Sequence, residues 1–117
     1  MHNHRNLTAY KLAKRFAHSV YDVTEDIPRY EQYNLGSQLR RSALSIPSNI
    51  VEGCGRDTDA DFIRFLIISH GSAKEAEFQL EFALERGFIN NVEGRTLLDK
   101  AAELSRVIHG LIKSYRA

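Results

Sequence analysis

Apolar side chains recur along the chain at intervals of three and four residues, in four segments separated by proline, glycine and polar residues. This spacing places the apolar side chains of each segment on one face of an α-helix. The segments predict helices over approximately 7–26, 31–54, 58–86 and 91–116. The predicted core consists of Leu7, Tyr10, Ala13, Phe16, Ala17, Val20 and Tyr21, then Leu35, Leu39, Ala43, Ile46, Ile50 and Cys54, then Phe62, Leu66, Ser69, Ala73, Ala76, Leu80 and Ala83, and finally Leu97, Ala101, Leu104, Ile108, Leu111 and Tyr115.

Residues that start and stop helices lie at the borders of these segments. Pro28 ends the first helix, because the residue before a proline disfavours the α conformation. The run 57–59 supplies N-cap candidates for the third helix, and Gly87 is placed to end it. Asn90 followed by Glu93 resembles a capping box that opens the fourth helix. Four helices with short connections predict an all-α, antiparallel up-down four-helix bundle.

The third helix carries apolar residues on the side opposite its core face, where a helix at the surface of a monomer should be polar. The second helix shows a weaker form of the same pattern. An exposed apolar surface of this kind usually marks an interaction site, and it predicts self-association. In the alternative interpretation, loops or the N-terminal arm cover a central third helix. The candidate oligomer-interface residues are Ile67, Gly71, Phe78 and Phe82 on the third helix, with Leu44 and Val51 on the second.

The charges are balanced in number but not in position. The 117 residues include 16 basic and 15 acidic side chains, for a net charge of +1. Residues 1–56 carry +3, residues 57–89 carry −4 and residues 90–117 carry +2. This division favours contacts between copies of the chain and leaves basic surface on the first two helices. The candidates for nucleic-acid binding are Lys11, Lys14, Arg15, Arg40, Arg41 and Arg56.

The length fits one domain over 1–117, and few residues suggest chemistry. The single cysteine, Cys54, excludes an internal disulfide framework and a cysteine-based zinc site. His2 and His4 lie in a terminus expected to be frayed, and the other histidines occur singly on different helices. We therefore expect no catalytic residue, no metal and no cofactor. No apolar run is long enough to span a membrane and no signal peptide is evident, so we expect a cytoplasmic protein.

Arg64 and His70 form an Arg-x5-His spacing that loosely resembles the ribonuclease motif of HEPN-type helical domains. Six residues along one helix place the two side chains about 120° apart, so they do not converge within one chain. An interface between copies brings them together in the ribonuclease hypothesis, which we keep as a minor alternative.

The second helix carries a stripe of polar residues next to its core face. Serine and asparagine have modest helix propensity, so other interactions are expected to hold them. One interpretation is a buried hydrogen-bond network around Pro47 that satisfies the carbonyl groups freed by the proline. The other is a contact surface for a ligand or nucleic acid. The stripe consists of Gln38, Ser42, Ser45, Asn49 and Glu52, with Arg56 beyond its end.

Several linked motifs in this region resemble the four-helix bundle family whose members are also called 23S rRNA intervening-sequence proteins. The motifs are the runs 37–41 and 45–53, then Phe62-x-x-Phe65, then Gly71-Ser72-x-x-Glu75. The resemblance extends from about Leu12 to the last helix. This chain has Val51 where the family usually has alanine, and it lacks the tryptophan common in the first helix. The resemblance implies a signature polar network of Gln38, Arg41, Ser45, Asn49, Glu52, Ser72 and Glu75.

The resemblance also implies a ring-like homo-oligomer, specifically a homopentamer, with no firmly attached enzymatic activity. It further implies that some relatives are encoded inside insertions in ribosomal RNA genes, and that one relative partners a reverse transcriptase and nucleic acid. Together with the charge pattern, this predicts a non-enzymatic oligomeric bundle that associates with RNA or DNA, or that forms a nucleoprotein scaffold. The alternative is a protein–protein adaptor ring that makes no contact with nucleic acid.

Overall fold

The computed structural model describes residues 1–116 and shows four α-helices. These are α1 (Thr8–Val23), α2 (Ser37–Cys54), α3 (Asp59–Glu85) and α4 (Asn91–Arg116). No strand occurs in this part of the chain, so the all-α prediction is confirmed. The final residue of the predicted domain, Ala117, lies outside the described residues.

Each helix packs against two others around one core. The helices α1 and α3 both pack against α2 and α4. All the predicted core residues of α2 and α3 are buried. On α1, however, Tyr21 is exposed, and on α4 the buried residue after Ile108 is Ile112, whereas Leu111 is half-buried. The spacing of four from Ile108 to Ile112 continues the buried stripe of α4, where a spacing of three was predicted.

The connection between α1 and α2 differs from the prediction. The helix α1 ends at Val23 rather than near residue 26, and a 3₁₀ turn follows over Thr24–Asp26. The helix α2 begins at Ser37 rather than near residue 31, after a π-helical turn over Gln32–Gly36. The side-chain amide of Gln32 donates to the carbonyl oxygens of Thr24 and Ile27, both at 2.7 Å. These side-chain hydrogen bonds compete with regular helix, which periodicity alone does not reveal.

The predicted ends of α3 and the start of α4 are confirmed. The Thr58 hydroxyl accepts the N–H of Asp61, and the Asn90 side chain accepts the N–H groups of the residues two and three positions after it. Gly87 has φ +71°, the left-handed conformation in which glycine commonly ends helices. The N–H of Phe88 then donates to the carbonyl of Ala83, completing a Schellman motif.

The first residues are docked on the bundle, so the expectation of a frayed terminus is wrong. The backbone N–H of His2 donates to the carbonyl of Cys54 at 2.9 Å. The imidazole stacks on Phe62 with 4.3 Å between ring centroids, and its Nδ1 lies 3.3 Å from the Tyr115 hydroxyl. Residue 2 therefore joins the end of α2 to the start of α3 and the end of α4.

Small residues bring α2 and α3 into close contact. A Cβ atom on Gly53 would lie 2.9 Å from Cβ of Phe65 and 3.3 Å from the carbonyl oxygen of Phe62. Farther along the contact, the fully buried Ser69 hydroxyl donates to the carbonyl of Ile46 at 2.9 Å. Gly53 therefore allows α2 and α3 to pack closely, and Ser69 adds a hydrogen bond between the two helices.

Replacing Gly53 with alanine should destabilise the protein by about 1–3 kcal/mol, because the new methyl group has to push α3 away from α2. Gly110→Ala is the matched control. Gly110 lies within α4, and a Cβ atom added there would meet nothing within 4 Å. Alanine at this position should therefore stabilise the protein by about 0.5–1 kcal/mol. Urea denaturation at one protein concentration measures both changes. Equal stabilisation by both substitutions would contradict the proposed close contact.

Candidate interaction surfaces

A row of large apolar side chains on α3 is open to solvent. Phe78 is 64% exposed, and Ile67, Ile68 and Phe82 are each 42–46% exposed. The rings of Phe78 and Phe82 lie 6.3 Å apart. We call these four residues the α3 ridge. Within one chain, neither the loops nor the N-terminal arm covers the ridge. The alternative interpretation, in which they cover a central third helix, is therefore wrong.

Gly71 lies on α3 between the isoleucines and the phenylalanines of the ridge. A Cβ atom at this position would meet nothing within 4 Å. The helical period predicted Ile67, Gly71, Phe78 and Phe82 as one face, and Ile68 was missed because it borders the side of α3 that faces α2.

Leu44 and Val51, the candidates on α2, belong to a different surface. They line a groove of about 530 Å³ between α1 and α2. Lys14 and His18 contribute polar groups to this groove, which is mainly apolar. The α1–α2 groove is lined by Tyr10, Lys14, Ala17, His18, Tyr21, Leu44, Pro47, Ser48 and Val51. The contribution of Tyr10 and Tyr21 was missed, because their spacing assigned both to the core.

Three of the six predicted nucleic-acid-binding residues lie together on α1. Lys11, Lys14 and Arg15 surround an open hollow of about 440 Å³, with Arg5 from the preceding turn. Tyr10 and His18 complete the lining of this α1 hollow. No salt bridge within residues 1–116 joins these four cationic side chains to a carboxylate. The hollow therefore concentrates positive charge that the rest of the described chain does not neutralise directly.

The other three predicted basic residues are dispersed. The Arg40 guanidinium donates to the backbone carbonyl and the side-chain oxygen of Gln32, at 3.0 and 3.2 Å. Arg56 pairs with Glu52 at 2.6 Å. Arg41 is exposed. Arg40 and Arg56 thus have partners within the chain, whereas the residues of the α1 hollow have none among the carboxylates of residues 1–116.

The polar stripe of α2 makes hydrogen bonds to α3. The Ser42 hydroxyl lies 2.6 Å from a Glu75 carboxylate oxygen, and the hydroxyls of Ser45 and Ser72 are 2.8 Å apart. Asn49 donates to the Ser45 carbonyl at 2.8 Å. The structure thus joins four of the seven signature residues, namely Ser45, Asn49, Ser72 and Glu75, at one helix contact.

The remaining signature residues lie on the surface. Gln38 donates to the Asn34 side chain, Glu52 pairs with Arg56, and Arg41 is exposed.

Pro47 removes the N–H group that would bond the carbonyl of residue 43. No side-chain hydrogen bond among the described residues reaches that carbonyl. The network therefore links two helices rather than satisfying the carbonyl that the proline frees.

Arg64 and His70 have different neighbours within the chain. Arg64 lies 3.4 Å from Asp61 and stacks over the ring of Phe65, whereas His70 lies beside His109 of α4. Burial lowers the pKa of His70, and the positive charges of Lys74 and His109 lower it further. Any joint action of Arg64 and His70 would need a second chain.

Other chemistry is sparse in the described part of the chain. Burial raises the pKa of the Cys54 thiol, which disfavours a reactive thiolate. Residues 1–116 contain no group of three or more His, Cys, Asp or Glu side chains placed to hold a metal ion. Among the helices described, none has the length and hydrophobicity to cross a membrane.

The arrangement of helices is similar to that of a solved protein from Bacteroides thetaiotaomicron. That protein has unknown function and is assigned to the S23 ribosomal protein family. The structures match with a TM-score of 0.83 over 91% of this chain and 99% of the other, at 23% sequence identity. No curated protein matches the chain.

The sequence itself also matches a family model, over residues 5–110. The match includes the α1 hollow, the α1–α2 groove, the polar contact between α2 and α3, and the α3 ridge. It therefore covers nearly all the structure described above. The chain belongs to the 23S rRNA-intervening sequence protein family.

Proposed function

We propose that this protein is a non-enzymatic, up-down four-helix bundle that assembles with copies of itself and binds nucleic-acid phosphates. The observation that carries the proposal is the α1 hollow, where Arg5, Lys11, Lys14 and Arg15 surround one open site and form no salt bridge to a carboxylate of residues 1–116. Clustered lysine and arginine side chains attract phosphate groups and release the counterions condensed on nucleic acid.

Self-assembly would increase the effect of this small cluster. Four cations in one protomer make few phosphate contacts, but copies in one assembly present the same cluster repeatedly along a bound strand. The family description refers to intervening sequences of 23S rRNA, which supports RNA as the first ligand to test. We propose a nucleoprotein scaffold that recognises the phosphate backbone, because phosphate contacts do not by themselves read base sequence.

The α3 ridge supports the assembly. Phe78 and Phe82 are large aromatic residues with neighbouring rings, and such residues often anchor protein interfaces. Ile67 and Ile68 extend the apolar surface along the same helix. Water contact with all four side chains is unfavourable, and burial between protomers removes it. The pentamer implied by the family resemblance remains our proposed stoichiometry.

The glutamate substitution Phe78→Glu should convert the assembly to a monomer of 13.4 kDa, because a carboxylate cannot be buried in the apolar interface without a partner. Val92→Glu is the control, since Val92 is 74% exposed on α4 and lies outside the ridge. Light scattering at micromolar concentration should show a pentamer for the original chain and for the control. A monomeric original chain would disprove self-assembly.

Removing two cations from the α1 hollow should weaken RNA binding. For Lys11→Ala combined with Arg15→Ala, we expect the plot of log affinity against log salt concentration to become less steep. With the DNA duplex, the slope should change by about 0.9 for each phosphate group that the variant no longer neutralises. The control pair, Arg95→Ala with Arg106→Ala, removes the same charge from exposed positions on α4. Fluorescence anisotropy with RNA and DNA duplexes of one sequence measures both pairs.

The binding experiment also separates the proposal from the adaptor alternative. The mainly apolar α1–α2 groove is the observation that favours an adaptor for another protein. If the original chain assembles but binds neither duplex at low salt, the nucleic-acid proposal is wrong and the adaptor alternative is favoured. If the double variant on α1 and the double variant on α4 lose the same affinity for nucleic acid, then the net charge of the protein, rather than the α1 hollow, determines binding.

A further inference from the structure

We infer that the α3 ridge of one copy docks into the α1–α2 groove of the next copy. This inference rests on the self-assembly proposed above and adds which two surfaces meet. It identifies the occupant of the groove as a second copy of the chain, presenting Phe78 and Phe82. Each interface then joins two different surfaces rather than two copies of the same surface.

The positions of the helices place the two surfaces apart on one protomer. The helices α1 and α3 each pack against α2 and α4, so they lie on opposite sides of that pair. The ridge is on α3, while the groove lies between α1 and α2. A single chain therefore cannot fill its own groove with its own ridge.

The ridge and the groove are both mainly apolar. The ridge presents two phenylalanines from successive turns of α3, with Phe78 the more exposed. The groove has a volume of about 530 Å³, and Leu44, Val51 and Pro47 contribute apolar surface to it. Aromatic side chains inserted into apolar pockets are the usual anchors of protein interfaces. Docking would bury two exposed apolar surfaces of the protomer in one contact.

The charges favour this pairing over contact between two ridges. Glu81 and Glu85 follow Phe78 and Phe82 by three residues each, which places each glutamate beside a ridge phenylalanine. Both are exposed, and neither forms a salt bridge within residues 1–116. Two ridges packed together through Phe78 and Phe82 would bring these carboxylates near identical carboxylates. The groove offers the Lys14 ammonium group instead.

A contact between two different surfaces has a structural consequence. Each protomer uses its ridge toward one neighbour and its groove toward another, so the assembly closes into a ring or grows as a fibre. Lys11 and Arg15 line the α1 hollow but not the groove. Those two cations therefore remain available for phosphate binding after the groove is filled.

Mixing two assembly-deficient variants tests the inference. Phe78→Glu damages the ridge and keeps the groove, whereas Leu44→Glu damages the groove and keeps the ridge. Each variant alone should be a 13.4 kDa monomer. An equimolar mixture should form a dimer containing one copy of each variant, because one intact ridge and one intact groove remain. Native mass spectrometry and sedimentation, with Val92→Glu as the control, measure these states.

Val51→Glu provides a second groove variant in case Leu44→Glu does not fold, and circular dichroism checks both. The dimer in the mixture supports the inference. Two results would overturn the inference while leaving self-assembly intact, provided that the original chain assembles. In the first, folded groove variants assemble as well as the original chain. In the second, the mixture of ridge and groove variants remains monomeric. If the original chain is itself a monomer, the proposed self-assembly fails and this inference fails with it.

Discussion

The close contact between α2 and α3 is the constraint on which the rest of the structure depends. Gly53 allows the two backbones to approach, and the buried Ser69 hydroxyl bonds the α2 carbonyl of Ile46. Farther along, the Ser42 hydroxyl bonds the Glu75 carboxylate and the hydroxyls of Ser45 and Ser72 bond each other, so these four polar side chains pair across the contact. Phe62, Leu66 and Leu80 lie on the buried side of α3, whereas Phe78 and Phe82 lie on its exposed side. Packing α3 through its buried side therefore leaves the surface proposed for assembly open to solvent.

The distribution of charge gives the surfaces different roles. The acidic region around α3 lies beside the exposed phenylalanines, whereas α1 carries lysine and arginine around an open hollow. The α1 hollow and the α3 ridge thus lie on different helices, and Lys11 and Arg15 lie outside the groove proposed to receive the ridge, so one protomer can bind phosphate and a neighbouring copy at once. The near-neutral total of +1 conceals this division, because opposite charges at different surfaces cancel in the sum without cancelling in space.

Predictions from the sequence succeeded where the interactions are short in range. Thr58, Gly87 and Asn90 were correctly placed at helix ends, because capping depends on groups within a few residues. The segment from Thr24 to Gly36 was not predicted, because Gln32 bonds carbonyl groups five and eight residues away and replaces regular helix. His2 was expected to be frayed, yet it packs on residues that lie far along the chain.

The sequence by itself determined the four helices, most of the core and the exposed apolar face of α3, since periodicity and capping are properties of local chain geometry. Only the tertiary structure decided which surface each exposed residue joins. Leu44 and Val51 line a groove with α1, and Lys11, Lys14 and Arg15 meet Arg5 around one hollow, whereas Arg40 and Arg56 bond to neighbours. These groupings depend on how helices are placed against one another, and no periodicity within a single helix contains that information.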